Sequence, residues 1–381
     1  MRNRILAGAL ASACLALAGG GALAKELPST LAWTAYDVGS AGYNQAVAMG
    51  AAFKNKMGIT LRVLPGKNDV SRLVPLRDGK VDYSAFGIGA YQALEAAFVF
   101  GQKDWGPQPI RLLAMSNSGS CSTLMMAGDL GMTSYRDLKG KRLPHIKGSP
   151  AINNLTYAYL RFADLDWKDV QVVEFGGYGA SMDAVVANQV DGAITNTASG
   201  FATKIAASPR GFTYLSVPHD DAAGWKRLQE AAPWFYPKIC TEAPSLAAPF
   251  EAADYPYPIL IGYAAQDEEM TYHLTKAVFA LYPEYKDAAP GASGWGLDRQ
   301  VLEWVVPWHP GAIRYLKEAG KWTAEHEANN EKLLAREKVV RDAWAAYAPT
   351  GGEGEAFEKG WMKARAAALE KAGYNPVWRE W

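Results

Sequence analysis

The feature that most constrains this chain is an order of elements that occurs twice, about 110 residues apart. Residues 31–35 read as an apolar strand. They run into Val38-Gly39-Ser40-Ala41-Gly42 and a helix expected over 43–56. A strand over 61–64, a turn at Pro65-Gly66, a helix over 69–76 and a strand over 83–86 follow, the last introduced by Asp78-Gly79-Lys80-Val81-Asp82. The second pass opens with a strand over 142–146, the turn Lys147-Gly148-Ser149-Pro150 and a helix over 152–163. A strand over 170–175, the turn Gly176-Gly177-Tyr178-Gly179 and a helix over 181–187 come next, and Gln189-Val190-Asp191-Gly192 leads into a strand over 193–195. Trp33 maps to Leu143, Val63 to Val173 and Asp82 to Asp191, at offsets of 110, 110 and 109.

Strand–turn–helix–strand–turn–helix–strand is a parallel βαβαβ unit. Two copies predict an α/β, two-lobed fold with a ligand cleft between the lobes. In such sheets ligands sit beyond the carboxyl ends of the strands. Here those ends carry Gly and Ser turns that open helices, whose free N–H groups and partial positive charge suit an anion.

The rest of the chain fits around this frame. Strands over 111–115 and 121–127, joined by a Ser/Asn/Gly stretch, predict a first crossing between lobes. A buried strand near 257–263 predicts the return, and the Pro- and aromatic-rich stretch 233–258 reads as an irregular loop. Beyond residue 267 the pattern is helical, with segments over 268–281, 297–304 and 312–319. A charged amphipathic stretch over 322–347 and a helix over 357–372 follow. Lobe I is therefore expected over 25–118 and 258–321, lobe II over 119–257, and a helical C-terminal extension packed on lobe I over 322–381.

The chain opens with Arg2 and Arg4, an apolar run over 5–18 and Ala22-Leu23-Ala24, the pattern of a Sec signal peptide over 1–24 and hence of a periplasmic protein. Cys14 offers the competing reading of a lipidation site, but Ala11-Ser12-Ala13 lead into it, with no large aliphatic where lipoprotein sites usually want one. Without the leader, 37 basic side chains stand against 39 acidic ones, which gives no field for nucleic acid. Cys121 and Cys240 remain, and an oxidising compartment permits either a disulfide between them or two buried thiols.

Catalytic or metal-binding patterns are missing from the reading. The five histidines are scattered, with no HExxH, GxSxG or phosphate loop. Asp220-Asp221 and Asp267-Glu268-Glu269 fall where helices start and suit capping. No enzymatic role and no cofactor is expected.

Several segments resemble the TAXI family of TRAP-transporter solute-binding proteins. They are Gly39-Ser40-Ala41-Gly42-Tyr43, Ala90-Tyr91-Gln92-Ala93-Leu94, Asp137-Leu138-Lys139-Gly140-Lys141-Arg142 with Gly148-Ser149-Pro150, Val190-Asp191-Gly192-Ala193, and His309-Pro310-Gly311-Ala312-Ile313-Arg314-Tyr315. The resemblance spans about residues 30–320. It implies a type II-like, two-lobed periplasmic binding protein that delivers a carboxylate to the membrane permease of a TRAP transporter. The chain departs from the family at Phe86-Gly87-Ile88-Gly89 and at Ser149-Pro150-Ala151-Ile152-Asn153, so the ligands of relatives do not transfer directly. The alternative is a binding protein of the same fold feeding a sensor or an ABC importer.

A carboxylate between the turns would draw on Ser40, Tyr43 and Asn44 from the first lobe. From the second it would draw on Ser149, Ala151, Ile152, Asn153, Thr195, Asn196 and Thr197, through hydroxyl, amide and backbone N–H groups. Tyr43, Phe86, Tyr91, Phe175, Tyr178 and Phe201 crowd the same strand ends and point to an apolar or aromatic portion on the ligand, and Gly87 and Gly89 are expected in the same site. Lys147 is the one cation at a turn in this reading.

Overall fold

A computed structural model describes residues 27–381; the leader expected over 1–24, with Cys14, lies outside the described residues. In chain order, lobe I opens with β1 (Thr30–Ala35), α1 (Ala41–Met57), β2 (Thr60–Pro65), α2 (Asp69–Arg77), β3 (Tyr83–Phe86), α3 (Gly89–Leu94) and β4 (Ile110–Met115). Lobe II holds β5 (Ser122–Ala127), β6 (Arg142–Ile146), α4 (Pro150–Phe162), β7 (Gln171–Phe175), α5 (Tyr178–Val186) and β8 (Gly192–Asn196). Its remaining elements are α6 (Gly200–Ala206), β9 (Phe212–Thr213), α7 (Ala222–Ala231), β10 (Tyr236–Cys240) and β11 (Phe250–Asp254). The chain returns through β12 (Ile259–Tyr263), α8 (Glu268–Ala280), α9 (Tyr282–Tyr285) and α10 (Pro310–Glu318), and ends in α11 (Ala324–Tyr347) and α12 (Gly354–Lys371).

The lobe I sheet runs β2-β1-β3-β12-β4. β1 is parallel to β2 and β3, and β12 is antiparallel to β3 and β4. In lobe II, β5 pairs antiparallel with β8 and β9, while β6 pairs parallel with β7. β6 is tied beside β8 by one backbone and one side-chain bond: the Asp191 N–H donates to the Arg142 carbonyl at 2.8 Å, and the Arg142 N–H donates to the Asp191 carboxylate at 2.7 Å. Lobe II thus sets the β6-β7 pair beside the β8-β5-β9 sheet, in positions that echo β2-β1-β3 of lobe I, and the architecture is the two-lobed α/β one that the repeat predicts.

Local sequence explains the elements that aim at the cleft. Ser40 caps α1, its hydroxyl accepting from the Tyr43 N–H at 3.2 Å. Met49 and Phe53 on the inner face of α1 are buried, and Phe53 stands edge-on to Trp33 of β1 with ring centroids 6.0 Å apart. Asp221 and Asp267 cap α7 and α8, accepting from Gly224 and Met270 N–H groups. Paired carboxylates at those positions are accounted for by helix starts.

Two segments differ from the sequence reading. The stretch read as an irregular loop folds into the antiparallel hairpin β10–β11. Pro237 misleads there, because a two-stranded ribbon has an outer edge that needs no N–H. The helix expected over 297–304 is only a short 3-10 turn, Leu297–Arg299. Beyond it, Trp304 and the run Val306 to His309 are buried, in extended chain that Pro307 keeps from being helical.

The extension touches lobe I through buried charge. Glu95, at the C-terminal end of α3, accepts from Arg336 of α11 at 2.6 and 3.0 Å and from the fully buried Arg365 of α12. The Trp361 indole donates to the Ala96 carbonyl at 2.7 Å. The final turn reaches further: Trp378 packs on Tyr91 and Trp234, and its indole donates to the Ala231 carbonyl of lobe II at 3.2 Å.

Candidate functional site

Two segments cross between the lobes: residues 116–121 leave β4 for β5, and residues 255–258 lead from β11 to β12. They are stitched by the Ser116 N–H donating to the Pro258 carbonyl at 2.8 Å. The hairpin braces the crossing, since Lys238 donates to the Ser120 carbonyl at 2.8 Å and to Asp254 at 2.6 Å, while the Ser122 N–H donates to the same Asp254 at 2.9 Å. Tyr255 and Tyr257 ride on the return crossing and line the floor of a cavity between the lobes.

The lobes are closed on each other. Lobe I acceptors meet lobe II helix N-termini one by one. Asp69 accepts from the Ala151 N–H of α4 at 2.9 Å and from the Ser149 hydroxyl at 3.3 Å. The Lys67 carbonyl takes the Tyr178 N–H of α5 at 2.9 Å, and Asp37 takes the Gly179 N–H at 3.0 Å. The Gly39 carbonyl takes the Gly200 N–H of α6 at 2.8 Å. Tyr36 and Ser149 share a further hydrogen bond of 2.5 Å across the gap. What remains is a cavity of about 30 Å³, room on the scale of one water molecule. An organic ligand therefore enters only when these bonds part.

The cavity's charged wall is Arg72, on α2. Its guanidinium is 1% exposed and lies between two rings, 3.9 Å from the centroid of Tyr36 and 4.1 Å from that of Phe86. It donates to Asp69 at 2.5 Å and to the Ala85 carbonyl at 3.3 Å. Its Nε–H has no partner among the described residues. Asp69 and Arg72 are one turn apart on one helix face, which is why an Asp-x-x-Arg spacing brings them together. The other polar groups are neutral. Ser122, Thr195 and Asn196 line the cavity, and the Tyr178 hydroxyl donates to Thr195 at 2.6 Å. Burial pushes the hydroxyls of Tyr36, Tyr178, Tyr255 and Tyr257 up, so all four stay protonated.

Of the residues singled out from sequence, Ser40, Gly87, Ala151, Ile152, Tyr178, Thr195 and Asn196 line the cavity. Gly87 is there because a side chain would meet the Tyr257 ring at 3.1 Å. Phe86 backs the Arg72 guanidinium, Gly89 packs beside Phe86 and Asp69, and Ser149 bridges the lobes. The others are held elsewhere. Asn153 is engaged with the Ile146 backbone on both its amide atoms, at 2.9 and 3.0 Å. Thr197 accepts from the Cys121 N–H and donates to the Glu242 carbonyl. Asn44 reaches the Gly39 carbonyl at 3.5 Å, Tyr43 packs against the lobe I core, and Phe201 stands edge-on to Tyr178. Tyr91 packs against Trp234 and Trp378. Lys147 pairs with Glu174 at 3.1 Å in solvent. Cys121 and Cys240 pack together as buried free thiols.

The reading from sequence missed Asp69, Arg72, Tyr36, Ser122, Tyr255 and Tyr257. The Asp69/Arg72 spacing on an expected helix was the available signal. The two tyrosines lay hidden in a stretch taken for loop.

Among solved structures, the chain is similar to the alkanesulfonate-binding protein SsuA of Xanthomonas axonopodis pv. citri bound to MOPS. Identity is 12%, with 84% of this chain and 93% of that one covered, at a TM-score of 0.44. It is also similar to PhnD1 of Prochlorococcus marinus in complex with methylphosphonate, at 10% identity, 77% and 100% coverage and a TM-score of 0.43. The aliphatic sulphonate binding protein SsuA of Escherichia coli matches at 12% identity, 91% and 89% coverage and a TM-score of 0.40. No curated protein matches in sequence. A family model described as the NMT1-like family matches residues 36–320, three quarters of the chain, and the protein belongs to the NMT1-like family.

Proposed function

We propose that this is a periplasmic solute-binding protein that captures a small organic carboxylate between its lobes and delivers it to the membrane permease of a TRAP-type transporter, as its resemblance to the TAXI family implies. The observation that carries the anion reading is Arg72. A guanidinium buried between two aromatic rings, lining an interlobe cavity with one N–H unpartnered, is a preformed anchor for a single carboxylate. The neutral hydroxyls of Ser122, Tyr255 and Tyr257 and the Asn196 amide complete the hydrogen bonding. The rings of Tyr36, Phe86 and Tyr178 favour an apolar or aromatic remainder. Among the described residues the polar groups lining the cavity are one guanidinium, hydroxyls and an amide, which supports a binding role.

A thermal-shift screen of the protein from residue 25 onward, against monocarboxylates, keto acids, dicarboxylates and aromatic acids, tests this. A ligand that binds only the folded protein raises the melting temperature, adding about 2.7 kcal/mol at a hundred times its dissociation constant. A shift confined to carboxylates supports the reading. A shift with cations or neutral sugars, and none with any acid, overturns it.

A further inference from the structure

The sequence predicts anion sites at the helix N-termini of both lobes, and those of lobe II are filled by the protein itself in the closed structure. Asp69 occupies the start of α4, and Asp37 with the Lys67 carbonyl occupies the start of α5. Asp69 also takes one edge of Arg72. Both members of that pair are buried, at 0% and 1% exposure. The cleft therefore offers one positive group that already carries a counter-charge, and the remaining polar atoms on the cavity wall are hydroxyls and an amide.

We propose that Asp69 is the residue that sets the charge of the ligand: it restricts the cleft to organic anions bearing one negative charge and excludes dicarboxylates. This rests on the carboxylate-capture reading above. One carboxylate docks on the free N–H edge of Arg72, whose five donors are only partly used. Among the described residues lining the cavity, a second carboxylate finds no further cation. Asp69 shares α2 with Arg72, so its charge stays in the cleft when the interlobe bonds part, and a second carboxylate stands near it in a poorly solvated setting where like charges repel strongly. A neutral amide, hydroxyl or ring in the same place meets the Tyr255 and Tyr257 hydroxyls instead.

The test is calorimetric titration with matched probes: succinate, glutarate and adipate against their monoamides, which differ only in the second charge. The proposal expects the best-bound monoamide to exceed its dicarboxylate by at least about tenfold. In Asp69→Asn, which keeps an acceptor for the Ala151 N–H and removes the charge, the ratio falls to within about threefold. The wild-type ratio needs no variant, so the test stands even if Asp69→Asn fails to fold. Dicarboxylates binding the wild type as tightly as monoamides overturn the proposal, as does an unchanged ratio in a folded Asp69→Asn. Monoanion binding with either result leaves carboxylate capture standing and removes the role of Asp69 alone. Absence of binding by all six probes and by every other anion removes both.

Discussion

Asp82 and Asp191 make the same pair of bonds in the two lobes. Asp82 accepts the Ala32 N–H on its carboxylate at 2.8 Å and gives its own N–H to the Ala32 carbonyl at 2.8 Å. Asp191 does so with Arg142, at 2.7 and 2.8 Å. Ala32 and Arg142 are 110 residues apart, so the spacing seen in the sequence is a structural equivalence. Each aspartate locks the incoming end of the third strand to the first, which sets the level at which the cleft turns emerge.

Asp191→Ala is expected to cost about 1–3 kcal/mol, since it leaves the part-buried Arg142 N–H without its acceptor and removes the carboxylate partner of the Arg142 guanidinium. Burial raises the Asp191 pKa, but the Arg142 side chain and N–H outweigh it and hold the carboxyl below the ordinary range. A folded pKa below the unfolded one gives stability that is present above about pH 4 and lost as pH falls further. Urea denaturation at pH 7 and pH 3 checks both, and a wild-type difference that survives unchanged in Asp191→Ala would contradict this assignment.

Glu95→Gln is expected to destabilise the protein by about 3–5 kcal/mol, because Arg365 and Arg336 are left buried without a counter-charge. Burial works against the Glu95 carboxylate, yet the two guanidinia hold its pKa down. Hydrogen exchange should rise first in α12, whose tie to lobe I runs through this group.

The His309-Pro310-Gly311 motif has a packing explanation. His309 caps α10 through Nδ1, accepting from the Gly311 N–H at 3.1 Å, and a side chain on Gly311 would fall 2.4 Å from the Glu268 carbonyl of α8. Burial pushes the His309 pKa down to about 4. The neutral ring is the folded form, so stability is full above about pH 6.5 and declines as pH falls toward 4. His309→Asn, a neutral cap, should flatten melting temperature across that interval. Gly311→Ala should cost about 1–3 kcal/mol by forcing the two helices apart.

Cys121 and Cys240 are both fully buried, and burial pushes the Cys121 thiol far up. A thiol reagent should label neither in the native protein and both in urea. Immediate labelling of native protein would contradict the packing of these residues.

The repeat made the two α/β lobes legible because buried strands and their turns follow short-range periodicity. The cleft was legible only in outline. Ser40, Ala151, Tyr178 and Thr195 sit at strand ends and could be placed by topology. Asp69 opens α2 and Arg72 lies one turn further in, where a charged pair normally reads as a solvated face, and only tertiary packing buries them. Tyr255 and Tyr257 depend on which way the return crossing turns. Tyr91 illustrates the converse: its neighbours in space, Trp234 and Trp378, lie 143 and 287 residues away in sequence, beyond any local pattern.

The central claim is that Arg72 anchors a carboxylate in the cleft between the lobes. The direct measurement is calorimetric titration of the best carboxylate from the screen into wild-type protein and into Arg72→Gln, each verified as folded by its thermal transition. The account predicts a dissociation constant raised about ten- to hundredfold by the substitution, the worth of one charge-assisted hydrogen bond. Equal affinity in the two proteins would contradict it and place the ligand away from Arg72.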